Sequence, residues 1–372
     1  VENPSAQDEA VQDEAVHDEV VQSWYIDADG HVLEPDDVWG RHLPADLVAY
    51  APRWGTDSEG RPRRIVGNRM QPYFPFPRYD LEPVAGGADG TARLADMDRA
   101  GIDIGVLYPS AGLHFAAVPE LSVVESLCRA YNDWLHDLCA VAPRRLRAAA
   151  VVPQLDPVRA AVEARRAVNQ LGAVAIVLRP NPIGGRTVDD PTFDPLWQAA
   201  CDLDVPVVFH EATTMNVPQA GLDRTTNYLV LHTITHPHEH QMALLGLIAA
   251  GTLERFPSLR VAFMESGCGW VPYWLERIDQ HLDYWGHASR PLPRSATDYF
   301  ARQCFVSPFA DEAMLPQVLE LLGDENLVYT SDYPYPYVGS ERITAALAER
   351  GDVADAAKRR LLRTNAERLY RL

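Results

Sequence analysis

The feature that most constrains this chain is a rhythm: short apolar runs alternate with stretches of helical periodicity along most of its 372 residues. Strand-like runs fall at Ile102–Tyr108, Leu146–Val152, Ala173–Leu178, Val205–Phe209, Leu259–Met264, Cys304–Val306 and Leu327–Tyr329. Helical patterns separate most of them, at Leu121–Cys139, Pro157–Gln170, Pro195–Cys201, Met242–Phe256, Val271–His281 and Glu312–Leu322, and Val353–Leu372 forms a last helix. With the lead-in Trp24-Tyr25-Ile26 counted as a strand, the pattern contains eight strands. Such alternation implies a parallel sheet, and eight units imply closure as an α/β, (β/α)8 TIM barrel. An open doubly wound sheet is the competitor, but no GxGxxG turn follows any early strand.

In a barrel of this kind the reactive groups collect where the strands end. The first strand runs into Ile26-Asp-Ala-Asp-Gly-His-Val-Leu-Glu34. Strict alternation would place Asp27, Asp29 and His31 on one side. Hard oxygen donors beside an imidazole suit a metal ion, the alternative being a solvated acidic turn. The other strand ends supply Tyr108, Arg179, His210 followed by Glu211, Glu265 and Asp332. Four ends thus carry metal-type donors, and a metal is expected on Asp29, His31, His210, Glu265 and Asp332. Glu34, Glu211, His232 and His236 are candidates to complete the set. Pro237 is expected in the first turn of the following helix, with Glu239 near N3 and His238 and His240 turned to solvent or capping.

Composition narrows the partners. A formal net charge of −19 argues against nucleic acid or an anionic membrane surface, and no apolar run is long enough for a membrane span. The five cysteines form no CxxC pair, and the acidic N-terminus lacks a signal pattern, so a cytoplasmic location is expected. Residues 1–22 hold three degenerate five-residue repeats and are expected to be a disordered tail, leaving 23–372 as one catalytic domain. Residues 35–90 form a long Pro/Arg-rich insertion or lid after strand one. Between residues 53 and 80, Arg53, Arg61, Arg63, Arg64, Arg69 and Arg78 outnumber Asp57, Glu59 and Asp80, making a basic island in an acidic protein. Such an island can hold an anionic ligand or simply pair with the acidic body.

These residues carry a resemblance. The motifs Ile26-Asp-Ala-Asp-Gly-His31, Met97-Asp-Arg-Ala-Gly-Ile-Asp103, Val208-Phe-His210, Glu254-Arg-Phe-Pro-Ser-Leu-Arg260 and Ser331-Asp-Tyr-Pro334 resemble the amidohydrolase-related metal-dependent barrels. That branch includes aminocarboxymuconate-semialdehyde decarboxylase and the hydroxybenzoate decarboxylases. The resemblance implies that Asp29 stands at the first His or Glu of the family's paired motif. It makes His31 the second His, His210 the ligand after strand five and Asp332 the aspartate after strand eight. Glu265 stands where the decarboxylases place a catalytic His.

Two positions that are often imidazole in the relatives are therefore carboxylates here. The added negative charge favours more bound cation, and a mixed carboxylate and histidine set suits two iron or manganese ions. Lys358 is the single lysine, so the carbamylated-lysine bridge of urease-type relatives is excluded. The pattern is similar to a diiron monooxygenase branch that includes the platensimycin/platencin biosynthesis enzyme. The leading expectation is a monooxygenase of secondary (antibiotic) metabolism, with two Fe ions, O2 and a bulky terpenoid-like acyl-CoA substrate. Glu265, Asp332 and His236 would be catalytic in it. Arg63, Arg64, Arg69, Arg179, Trp270 and Tyr335 would bind the substrate, with Tyr73, Phe74, Phe76 and Tyr333 adding aromatic walls. The alternative is a decarboxylase or hydrolase with one Zn or Mn ion. A homodimer is expected from the resemblance, and the electron donor is left open.

Overall fold

The computed structural model describes residues 25–72, 84–213, 216–286, 291–335 and 343–372. The expected tail, together with Tyr73, Phe74, Phe76 and Arg78, lies outside the described residues.

Seven strands form one parallel sheet in the order β1 (Tyr25–His31), β5 (Ile102–Tyr108), β6 (Leu146–Val151), β7 (Ala175–Leu178), β8 (Val207–His210), β9 (Val261–Met264) and β10 (Cys304–Val306). The eighth expected strand contributes a parallel bridge, Val306 to Leu327. Val328 N–H donates to the Val306 carbonyl (3.0 Å) and Ala28 N–H to the Tyr329 carbonyl (2.9 Å), so 327–329 joins the last strand to the first. The sheet curls shut, as the alternation predicts. The apolar side chains of β8 and β9 are fully buried, because in a barrel both faces of each strand are covered.

The helices on the outside start and stop where their caps dictate. In α5 (Pro157–Leu171; α1–α4 are Asp37–His42, Ala85–Ala88, Gly90–Ala100 and Leu121–Cys139) the Asp156 carboxylate accepts from Val158 and Arg159 N–H. Pro157 occupies the first turn and Gly172 closes the helix at φ 73°. Next come α6 (Asp194–Leu203) and α7 (Tyr228–Ala249). Helix α7 differs from expectation. It is capped by Asn227 and begins well before Met242, so Pro237 sits in its interior and not in its first turn. An Asn cap followed by apolar Leu229, Val230 and Leu231 is an ordinary helix start that the proline obscured.

The insertion after β1 contains a small antiparallel sheet of β2 (Arg53–Thr56), β3 (Pro62–Val66) and β4 (Arg69–Met70) that no alternation in the sequence marks. Asn216 fastens it to the loop after β8. Its N–H donates to Gln71 Oε1 (3.1 Å) and its side-chain amide donates to the Met70 carbonyl (3.1 Å). The sheet therefore lies beside the barrel mouth, where the lid is expected.

Candidate functional site

The end of β1 does not alternate strictly. Its pairing with β5 shifts register between Asp27 and Gly30, and this irregularity separates the acids expected on one face. Asp27 is turned to structural use: it accepts from Ser331 N–H (2.8 Å) and Ser331 Oγ (2.5 Å), holding the loop after 327–329 in place. Asp29 and His31 face the mouth. His31 Nε2 lies 3.7 Å from Asp29 Oδ1 and 3.4 Å from Asp332 Oδ1. His210 Nε2 lies 3.3 Å from Asp29 Oδ2 and 3.6 Å from Glu265 Oε2. His236 reaches Glu265 Oε2 from α7 at 3.4 Å, and His232 stands one turn earlier with its ring centroid 4.5 Å from that of His236.

The two central imidazoles have fixed tautomers. His31 Nδ1 is 2.8 Å from the Pro109 carbonyl and His210 Nδ1 is 2.7 Å from the Glu211 carbonyl. A carbonyl only accepts, so both Nδ1 atoms carry hydrogen and both Nε2 atoms offer lone pairs. Those lone pairs face each other at 3.0 Å. Two acceptors repel at that distance unless a proton or a metal cation lies between them. Asp29 Oδ1, also buried, accepts no hydrogen bond from the described residues. Among the described residues two donor triads emerge, Asp29–His31–His210 and His232–His236–Glu265. Asp29, His31, His210 and Asp332 fit a divalent ion: neutral imidazoles and hard oxygens, oriented by backbone carbonyls.

The surroundings draw positive charge inward. Burial lowers the proton affinity of His210 and His236, but carboxylates outweigh it: Asp29 and Glu265 at the first, Glu265 and Glu211 at the second, so both are raised. Burial opposes charge on Glu265, yet His236, His210 and His232 hold its carboxyl well below the usual range. Burial depresses His31, with Asp29 only partly compensating, and takes His232 down to about 4. Glu265 and Asp332 both occupy left-handed backbone, at φ 57° and 53°. The Glu265 N–H is satisfied by Ser307 Oγ at 2.9 Å and that of Asp332 by the Asp29 carbonyl at 3.0 Å.

Other expected residues lie elsewhere. Glu34 accepts from the N–H groups of Ser110 (3.1 Å), Ala111 (2.8 Å) and Gly112 (2.9 Å), capping a short helix. Glu211 is buried against Arg179 (2.9 Å), with Asn181 (2.9 Å) and Gln219 (2.8 Å) donating to the same oxygen. Both acids spend charge on protein partners, and Arg179 is consumed in that pair. Trp270 packs behind β9 on Phe263, and Arg69 is exposed on the lid edge. Tyr333 turns away to Asp96 and stacks under Arg93. Tyr335 does reach the site: its ring meets His31 edge-on at 5.3 Å, and its hydroxyl donates to Ser110 Oγ (2.8 Å). Above the donors opens a cavity of about 110 Å3, continuous with solvent and bounded on the lid side by Trp54, Arg63 and Arg64. The sequence reading missed His114 in its wall, and Asn181 and Gln219 behind Glu211. None of the three ends a strand or belongs to a motif, so only the folded chain exposes them.

The comparisons with known proteins address the reaction. The family profile described as Amidohydrolase matches residues 26–372. The chain is 30% identical over 293 residues to the gamma-resorcylate decarboxylase of Rhodococcus jostii, covering 75% of this chain and 87% of that protein. In structure it is similar to the amidohydrolase map2389c of Mycobacterium avium subsp. paratuberculosis (TM-score 0.78, 20% identity, 93% of this chain and 99% of that one). It is likewise similar to a 5-carboxyvanillate decarboxylase of Novosphingobium aromaticivorans solved with bound manganese (TM-score 0.70, 24% identity, 94% and 98%).

These findings overturn the oxygenase expectation. The relatives named for a reaction here are decarboxylases, and the metal named with one of them is manganese, so the O2-dependent diiron monooxygenase of antibiotic biosynthesis, with its two Fe ions, is withdrawn. The physical reason lies in the acids. Counting carboxylates overstated the ligands at the mouth, because Glu34 is held by backbone amides and Glu211 by an arginine. With the barrel, the strand-end donors and the profile match in agreement, the chain belongs to the amidohydrolase family.

Proposed function

We propose that this protein is a decarboxylase that uses one divalent ion, manganese or zinc, to act on a hydroxylated aromatic or similarly conjugated carboxylic acid. The observation that carries the reading is the pair of carbonyl-locked histidines, His31 and His210, whose Nε2 atoms meet beside Asp29 and Asp332 at the floor of a solvent-connected cavity. The decarboxylase relatives support the reaction class. Asp29, His31, His210 and Asp332 would hold the ion. When bound, the ion supplies Lewis-acid attraction for the substrate's carboxylate and neighbouring oxygen.

The chain's own groups supply the proton. The carboxylate Glu265 occupies the position where decarboxylases of the family place a histidine, and α7 delivers the imidazole of His236 beside it at 3.4 Å. His236, whose proton affinity Glu265 and Glu211 raise, donates its Nε2 proton to the ring carbon that bears the carboxylate. The C–C bond then breaks, CO2 departs, and the bonding electrons restore the aromatic ring. Tyr335 and Trp54 wall the cavity and limit water around the protonated carbon.

The test is CO2 release from a panel of hydroxybenzoates and carboxyvanillates by the manganese-loaded protein, with dissolved O2 monitored. CO2 release without O2 uptake is expected, with Asp332→Asn and His236→Gln each at least about a hundredfold slower. O2 consumption with no CO2 from any acid would overturn the proposal.

A further inference from the structure

The irregular end of β1 leaves two residues without an opposite number. In its pairing with β5, Asp27 faces Gly105 and Gly30 faces Leu107, so Ala28 and Asp29 fall outside the register. Both are buried, and their four backbone groups still need partners. Three find them in the segments that build the mouth. Ala28 N–H donates to the Tyr329 carbonyl (2.9 Å), Asp29 N–H donates to Asp27 Oδ1 (3.3 Å), and the Asp29 carbonyl accepts from Asp332 N–H (3.0 Å). The fourth, the Ala28 carbonyl, is served by a side chain from far along the sequence: Tyr370 Oη donates to it at 2.7 Å.

Tyr370 arrives from the end of the barrel opposite the mouth. It closes the helix Asn365–Tyr370, which is fastened where strands begin. Asn365 Nδ2 donates to the Leu327 carbonyl (2.6 Å), and Arg260 Nε, just before β9, donates to the Leu369 carbonyl (2.9 Å). A carbonyl only accepts, so the Tyr370 hydroxyl hydrogen is spent on Ala28, and Tyr108 must donate its own to Tyr370 Oη (2.7 Å). Both phenols are buried. The Tyr108 ring lies against both central imidazoles, its centroid 6.4 Å from that of His31 and 6.1 Å from that of His210. A directed pair of hydrogen bonds thus ties the helix at the far end to the backbone between Asp27 and Asp29.

We propose that Tyr370 is a positioning residue for the metal centre: its hydroxyl fixes the Ala28 peptide, and with it the direction of the Asp29 carboxylate. The assignment rests on Asp29, His31, His210 and Asp332 as the ligand set, and not on the reaction that the ion serves. Metal–ligand bonds hold their lengths to within about 0.2 Å. A buried Ala28 carbonyl deprived of its donor turns to seek another, and the next residue in the chain is the ligand that moves with it.

The test is titration calorimetry of manganese, and separately of zinc, into chelator-stripped protein, with a thermal melt of each variant in chelator. Tyr370→Phe keeps the ring and removes the donor. It should weaken metal binding about tenfold, since losing an outer partner of a ligand costs roughly ten- to a hundredfold in affinity. Tyr108→Phe leaves the bond from Tyr370 to Ala28 in place and should bind metal as the parent does. If Tyr370→Phe does not fold, the double variant Tyr108→Phe/Tyr370→Phe leaves no phenol unpaired and carries the same expectation. A lower melting temperature in chelator with unchanged metal affinity makes Tyr370 a structural residue only and overturns the assignment. Equal weakening by Tyr108→Phe also overturns it, by placing the effect in the phenol pair and not at Ala28. The two readings separate cleanly: uptake of neither metal by the parent retires the metal centre together with this role for Tyr370. Equal uptake by parent and Tyr370→Phe retires the role alone.

Discussion

Two acids at the barrel mouth, Glu265 and Asp332, sit where a glycine would be at ease, at φ 57° and 53°. A left-handed non-glycine residue costs on the order of 1–2 kcal/mol, and keeping a carboxylate at both places is explained by what the carboxylates do there. Glu239 is a residue-scale case with a measurable signature. It is buried, and burial lifts its carboxyl to about 7, with the Ala220 N–H (2.6 Å) pulling it back only in part and the charge of Glu211 adding to the rise. A folded value above the unfolded one means that its contribution is complete below about pH 4.5 and is lost as pH rises through 7. Glu239→Gln should therefore match the parent at pH 4 and exceed it at pH 8 by roughly 1–3 kcal/mol, as read from urea unfolding at the two pH values. The strand-end donors were legible because a strand end is a place the sequence can mark. The fates of Glu34 and Glu211 were not, since their partners, the amides of 110–112 and the guanidinium of Arg179, are brought to them only by folding.

At the scale of elements, α7 concentrates the problem. Pro237 has no N–H for the Thr233 carbonyl, and the His238 ring next to it reaches back to the Ile234 carbonyl at 2.9 Å. A proline inside a helix that positions His236 one residue earlier trades stability for placement. Pro237→Ala is expected to raise stability by up to about 3 kcal/mol while slowing turnover roughly tenfold as His236 shifts. Thermal melts and kcat measured on one preparation check both halves. The proline misled the sequence reading because a helix start and a tolerated interior break look alike without the Asn227 cap in view. The lid sheet escaped for another reason. Its strands are two to five residues long and mostly half-exposed, so no face is apolar enough to impose a period of two.

For the molecule as a whole, the barrel was readable because its strands are largely buried and most of the described intervening helices are amphipathic, so the alternation is written in apolar residues. The number of ions was not readable, because formal charge along a chain says nothing about which acids are already paired. One consequence is global: an ion that binds only the assembled mouth stabilises the entire fold. At a hundredfold excess over its Kd, that coupling is worth about 2.7 kcal/mol. Manganese-loaded protein should melt roughly 5 °C above the same protein in chelator, in differential scanning calorimetry, and His31→Ala should erase the difference.

Because the carbonyls of Pro109 and Glu211 orient both imidazoles before any cation arrives, the pocket needs no rearrangement to capture one. A receptor so prepared discriminates poorly among transition elements, whose intrinsic preference runs toward copper and zinc. The inventory of a freshly purified batch will then mirror the growth medium and the affinity resin. Only stripping followed by controlled reloading will reveal which element supports turnover.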